Sequence, residues 1–341
     1  MYEPDGIVMN KINYRKYLDS SFAPVVVCLL VVYMWLTSPV FMTVNNWTNI
    51  LLQISILLIA AYGMTFVIIA GQLDLSQGSA NALVGVLAAD FMLRSGNLVL
   101  GLLIGLLVGL AIGFFNGYVT AWLKVPSFIT TLGVLVMARG LAREVTSGNT
   151  VGDLPELFTD FMSRKLIGIQ IPVYIAFVYG FVFHVILKRT KFGLHVLSVG
   201  GNAEAARRSG INVKRVILGV FVLSGLSIAV SGITLLGRVR AGQPNASTLL
   251  ELYAVAAVIL GGTRLTGGKG SMTQTTFGVV LIGIIQNALN LKGVPSNYQQ
   301  VVLGAVFIMA MMTDFFVSGV SSTIQLVKRY RGNPTKVSIS Q

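Results

Sequence analysis

The chain has 341 residues, of which 54% are hydrophobic and only 11% charged, with a mean hydropathy of +0.78. An average soluble domain carries roughly 25% charged residues, so composition excludes an ordinary water-soluble fold. The net charge of +13 does not point to nucleic acid, because the basic residues lie between apolar runs and form no stripe with interleaved aromatics. The single cysteine, Cys28, sits inside the first apolar run, which excludes a disulfide framework and a cysteine-based metal site.

Apolar runs of about 18 or more residues span a bilayer as helices. In chain order they fall near 22–42, 47–70, 79–94, 97–122, 126–146, 170–187, 216–240, 249–261, 271–291 and 297–318. The first run is longer than a signal-peptide core and follows Lys11, Arg15 and Lys16, so it reads as an uncleaved span. The third and eighth runs are short, which suits tilted, partly buried or re-entrant helices. The expected fold is an all-α integral membrane protein of about ten transmembrane helices.

Lys and Arg accumulate in cytoplasmic segments. With the N-terminus inside, eight of the 25 basic residues fall outside: Arg94, Arg139, Arg143, Arg164, Lys165, Arg238, Arg240 and Lys292. Both termini are therefore expected in the cytoplasm, as segments 1–21 and 321–341 flanking a transmembrane domain over 22–320. Two connections are long. Residues 147–169 lie outside and carry Asp153, Glu156 and Asp160; residues 188–215 lie inside and carry seven basic residues. Both are candidate docking surfaces.

The chain matches itself at an offset of 171. Ala70-Gly71-Gln72 falls on Ala241-Gly242-Gln243, Asp74 on Asn245, Ser76 on Ser247, Asn116 on Asn287 and Gly133 on Gly304. A two-residue gap brings Val125-Pro126-Ser127 onto Val294-Pro295-Ser296. Repeat halves near 47–146 and 216–318 follow, displaced by five spans. An odd displacement inverts the second half, and inverted repeats place a transport route between them.

No catalytic constellation can be assembled from two histidines, His184 and His195, and no metal site or cofactor is expected. The stretch from Gly262 to Ser271 resembles a phosphate loop but fails the pattern at Thr263 and Gly270, so it reads as a tight turn. Intramembrane polar groups are costly and serve as candidate functional residues. Asp74 is the most conspicuous; with Ser76 it either caps the third helix or touches a transported solute. Glu251 suits the positive N-terminal end of its helix. Asn116, Gln286, Asn287, Asn290, Gln299 and Gln300 are amides that can bind hydroxyls of a neutral solute or join helix to helix. Glycines 101, 105, 109, 113 and 117, four residues apart, read as close helix packing.

Three motifs carry a resemblance: Gly71-Gln-Leu-Asp-Leu-Ser-Gln-Gly78, the segment from Val199 to Asn212, and Ala256-Ala-Val-Ile-Leu-Gly-Gly-Thr263 followed by Gly267-Gly-Lys-Gly-Ser271. Together, over about residues 45–318, they resemble the membrane permeases of bacterial ATP-binding-cassette importers for monosaccharides such as ribose, xylose, arabinose and galactose. Members usually read Gly-Gly-Ile-Asp where this chain has Gly71-Gln72-Leu73-Asp74, and Arg is common at Lys269. The resemblance implies a multi-pass protein of the bacterial inner membrane, working with cytoplasmic ATPase subunits, a periplasmic sugar-binding protein and a second permease copy, as a homodimer. It also implies that the inner loop inserts a coupling helix into the ATPase, formed by Asn202, Glu204, Ala205, Ala206, Arg207 and Gly210. Cap and stop signals at Asn202 and Gly210 support that helix independently; the bland alternative is a basic loop held to anionic lipid. Asp153, Glu156 and Asp160 are the expected docking residues for the binding protein. Two rival functions stand beside this one: an ion-coupled secondary transporter using Asp74 or Glu251, and a membrane anchor without a route.

Overall fold

The structure, a computed structural model, describes residues 14–309 and residue 312. The long helices in chain order are α1 (Tyr14–Thr37), α2 (Val44–Ile69), α3 (Gln77–Ser95), α4 (Leu98–Trp122) and α5 (Ser127–Val145). A short α6 (Glu156–Ser163) and a hairpin of β1 (Lys165–Leu166) and β2 (Ile169–Gln170) lead into α7 (Ile171–Arg189), with α8 (Lys191–Gly201) and α9 (Ala203–Arg208) after it. Helices α10 (Val213–Val239), α11 (Leu250–Leu260) and α12 (Met272–Leu291) follow, and α13 covers residues 296–309. Among the described residues, α2, α4, α7, α10 and α12 are long and apolar enough by themselves to cross a membrane.

Each expected span has a helix, with two informative differences. Helix α1 starts at Tyr14, inside the segment expected to be an N-terminal extension, because helical backbone does not need apolar side chains to continue. The third run is a 19-residue helix, α3, buried along most of its length, whereas the eighth, α11, has only 11 residues. At 1.5 Å per residue α11 rises about 16 Å, roughly half of a 30 Å hydrocarbon layer. Residues 310 and 311 of the expected tenth span, and the terminal segments 1–13 and 313–341, lie outside the described residues.

The offset of 171 is visible in the elements. It carries α2 onto α10, α3 onto α11, α4 onto α12 and α5 onto α13 to within a few residues. Even the helix starts repeat: Ile129 and Thr130 donate to the Pro126 carbonyl, as Tyr298 and Gln299 donate to that of Pro295. The two halves meet where α2 packs on α10 and α12. Polar pairs run the length of the α2–α12 contact: Asn46 with Asn287, Gln53 with Gln286, Tyr62 with Thr276 and Thr65 with Thr275.

Helix α10 is held mainly by α4, whose glycine column makes the approach possible. Gly101 lies on Ala88 and Met92 of α3, while Gly109 and Gly113 lie on Gly225, Ala229 and the Phe221 carbonyl of α10. Without a hydrophobic drive between helices in lipid, such close backbone contact supplies the attraction. Gly113→Leu should therefore lower stability by ~1–3 kcal/mol or more through overpacking, while Gly133→Ala, which meets nothing within 4 Å, should leave it unchanged. Thermal unfolding in detergent, read by size-exclusion, checks the contrast.

Candidate functional site

Between α2 and α3 the chain leaves the helix over residues 70–76. Non-helical backbone in an apolar bundle must find its hydrogen bonds in protein. Gly71 turns the chain at φ +73°, and the N–H groups of Ala70, Gly71 and Gln72 return to Phe66, Ile68 and Val67. Leu73 donates to Ser127 Oγ of α5 at 3.1 Å. Asp74 closes the rest. Ser76 donates to its Oδ1 twice, from N–H at 3.0 Å and Oγ at 2.5 Å, and Ser224 of α10 donates to Oδ2 at 2.6 Å. Two amides extend the cluster: Asn116 Nδ2 of α4 donates to Ser76 Oγ, and Gln77 Nε2 to Ser224 Oγ, each at 3.0 Å. All five side chains are fully buried.

This corrects the expected cap. The N-cap position of α3 is Ser76, whose side chain makes no capping bond; Asp74 instead links the α2–α3 break to α10. Three donors aimed at one carboxyl group, two from Ser76 and one from Ser224, fix it between the break and α10. Asn116 Oδ1 and Gln77 Oε1, at the two ends of the cluster, have no hydrogen-bond partner among the described residues.

The second half has its own break, from Arg240 to Leu249, with Arg240, Ser247 and Leu249 at positive φ. Here the partners are arginines. Arg139 Nη1 of α5 donates to the carbonyls of Pro244 and Ala246 at 2.7 and 2.9 Å, and Arg143 Nε to Asn245 Oδ1 at 3.0 Å. Ser247 Oγ donates to Asn81 Oδ1 of α3, and Asn81 Nδ2 to Ser231 Oγ of α10, both at 2.7 Å. Glu251 lays its carboxylate on the first turn of α3, against Gly78, and on its own backbone N–H. The N-termini of α3 and α11 thus converge, and the carboxyl groups of Asp74 and Glu251 lie where the two helix ends meet.

The other amides expected on the pathway divide. Gln286 faces a cavity with Gln53; Asn287 is a helix-to-helix tie through its reciprocal pair with Asn46; Asn290 is exposed and accepts from Gln299 Nε2 at 2.8 Å, and Gln300 is exposed. Among the described residues no three His, Cys, Asp or Glu side chains are grouped to hold a metal.

The expected inner helix exists as α9. Asn202 caps it, Oδ1 accepting from Ala205 N–H at 2.9 Å, and Gly210 at φ +83° ends it while Ile211 N–H returns to the Ala206 carbonyl. Glu204 accepts from both Arg207 and Arg208, which hold its carboxyl below the usual carboxylate range. That clasp persists through neutral pH and opens only in acid, as pH falls through the lowered value. Ala205, Arg207 and Arg208 face outward, but Ala206 is buried in the core with Val196, Val199 and Val216. Ala206 therefore seats the helix on its own protein and is not part of the exposed face.

Helices α8 and α9 pack on the end of α2 through Val196, Val199 and Ala206, and the backbone comes close there as well. Gly268 N–H donates to the Ile69 carbonyl at 2.8 Å, and Gly200 presses so closely on that carbonyl and on Gly268 that no Cβ fits. The turn over 261–271 is closed by Arg264 N–H to the Lys269 carbonyl and Gly267 N–H to that of Arg264.

On the outer segment, Asp153, Glu156 and Asp160 are all exposed, together with Leu157 and Phe161, while Phe158 and Met162 of α6 sit beneath Gly237 of α10.

An inverted repeat of membrane helices, with a broken helix in each half and a capped surface helix wired to one break, defines a membrane permease component. The chain belongs to the family described as branched-chain amino acid transport system / permease component, whose model matches residues 46–311. It is 37% identical over 281 residues to the ribose import permease of Escherichia coli strain K12, covering 81% of this chain and 88% of that one. It is 41% identical over 289 residues to the ribose import permease of Bacillus subtilis strain 168 (84% and 89%), and 34% over 319 residues to the L-arabinose transport system permease of E. coli strain K12 (94% and 97%). No solved structure matches the chain.

Asp74→Asn keeps one acceptor oxygen for the Ser76 turn and lets the Ser224 hydroxyl reverse, whereas Asp74→Ala strands both serines in the core at ~1–3 kcal/mol. The Asn variant should keep most transport and thermal stability, and the Ala variant should lose both; equal, complete loss of transport with normal stability in both would instead mark a charge needed in the route.

Proposed function

We propose that this chain is the permease subunit of an ATP-binding-cassette importer that carries a monosaccharide across the bacterial inner membrane. It works as one of two identical copies, with separate ATPase subunits on the α8–α9 side and a periplasmic sugar-binding protein on the α6 side, both termini being cytoplasmic. The observation that carries the reading is identity of 34–41% with ribose and arabinose permeases over at least 81% of the chain. ATP hydrolysis falls to the partner, since the sequence lacks a phosphate-loop pattern. Asp74, already held by three internal donors, is poorly placed to cycle an ion, which weighs against a gradient-driven carrier.

The test is reconstitution with the ATPase and binding protein. D-ribose or L-arabinose should accumulate in proteoliposomes only with ATP; accumulation by the chain alone under a proton or sodium gradient would sink the proposal. Cysteine at exposed Ala205 should crosslink to the ATPase subunit, whereas Ala206→Trp should act on the chain's own stability, by ~1–3 kcal/mol. Crosslinks from residue 205 to lipid alone would reduce the loop to a membrane anchor.

Charged rims steer association more than they set final affinity. Reversing Asp153, Glu156 and Asp160 to Lys should slow docking of the binding protein and alter its salt dependence, measured by stopped-flow at two ionic strengths. An unchanged salt response would remove α6 from the interface.

A further inference from the structure

A cavity of about 170 Å³ opens between α2, α10, α11 and α12, at the end of the bundle that carries α6. Its polar lining is Gln53, Arg238, Ser247, Tyr253 and Gln286, set among Ile and Leu side chains, and no Asp or Glu contributes. A second cavity of about 150 Å³ shares Leu235 and Ser247 with it as a common wall. The Gln53–Gln286 pair uses one donor and one acceptor, Nε2 to Oε1 at 3.1 Å. That leaves Gln286 Nε2 and Gln53 Oε1 for a ligand. Arg238 and the Tyr253 hydroxyl make no hydrogen bond among the described residues.

We propose that this cavity is a monosaccharide subsite within the permease itself, a proposal that rests on the importer reading above. The free amide donor and acceptor match neighbouring sugar hydroxyls, each of which both gives and takes a hydrogen bond. Arg238 adds donors, Ser247, whose proton goes to Asn81, adds an acceptor, and Tyr253 supplies an apolar ring with a polar tip for the C–H face of the sugar. A zwitterionic amino acid would need a carboxylate for its ammonium group, and the lining has none.

The repeat supplies an independent argument. At the offset of 171, Gln53, Arg238, Ser247 and Tyr253 correspond to Ser224, Val67, Ser76 and Ala82, each with at most 2% exposure. Only the counterpart of Gln286, Phe115, lies open, on the outer flank at 48%. The same place in the inverted half is therefore packed shut around Asp74. A void on one side of the repeat axis and a sealed counterpart on the other is the asymmetry a solute site needs when access is from one side at a time.

The test uses the complete transporter in proteoliposomes, with D-ribose, L-arabinose and L-leucine as probes, reading solute imported per ATP hydrolysed. Tyr253→Phe and Arg238→Gln should each lower that ratio for the sugar about fivefold, the value of one lost hydrogen bond, and Gln286→Leu by at least as much. Tyr298→Phe, on the exposed surface, is the control. Saturation-transfer NMR on the complex in nanodiscs should show D-ribose contacts that weaken in Tyr253→Phe, a variant that preserves the ring. A wild-type transporter that imports sugar while all three variants keep its ratio overturns the subsite and leaves the importer reading standing. A wild type that imports leucine and neither sugar overturns both.

Discussion

A polypeptide that leaves the helix inside a bilayer has no water to satisfy its amides, and the arrangement of this protein follows from that constraint. Two breaks, 70–76 and 240–249, occur at equivalent places in the two halves. Each is satisfied across the molecule. The first takes Ser224 from the second half, and the second takes Arg139, Arg143 and Asn81 from the first. The second break therefore has carbonyls completed from the first half, and the first break has its Asp74 side chain tied to the second. Helix α5 shows the inversion directly, for Ser127 at its start serves the first break while Arg139 serves the second, about 18 Å further along at 1.5 Å per residue.

The same constraint explains the charges that remain inside. Each break starts a new helix, and the positive ends of α3 and α11 converge near Gly78. Asp74 and Glu251 answer those ends, so the two acidic groups are consequences of the broken helices. Acceptors on Gln77 and Asn116 without a partner among the described residues show that the cluster has no donor to spare, and in a low dielectric each further lost donor is felt at its full desolvation cost.

Much of this was legible in the sequence where local chemistry decides. The capped start at Asn202, the stop at Gly210 and the glycine column of α4 depend on neighbours within a turn or two, and the structure shows each of them; the offset of 171 needs only the chain laid against itself. Pairings across long separations were not legible. Ser224, Ser227, Ser231 and Thr234 follow a three- and four-residue spacing that reads as ordinary small-residue packing, so nothing marked Ser224 as the partner of Asp74. Arg139 and Arg143 looked like orientation signals because charge at a helix end usually is one; their role as donors to stranded carbonyls depends on where a segment a hundred residues away passes. Ala206 was misplaced on an exposed face because a six-residue helix has too few positions to reveal which side is buried. The cavity draws Gln53, Arg238, Tyr253 and Gln286 from four helices, a convergence that no single segment displays.

Energetic asymmetry between the halves gives the interlock a functional consequence. The first break is sealed by side-chain hydrogen bonds among fully buried groups, whereas the second borders open space and rests on guanidinium bonds to carbonyls. Under the importer reading, opening the first side means separating Asp74 from Ser224, a cost too large for a weakly bound neutral solute to meet alone. Such a barrier suits a protein whose conformational change is driven from outside the membrane. The close approach of Ile69, Gly200 and Gly268 is where that drive would arrive, since α8 packs directly on the end of α2, which leads to Asp74. A coupling of this kind would be reciprocal: under it, loosening the Asp74 cluster would also shift the exposed face of α9, and the state of the buried break would be readable at the surface.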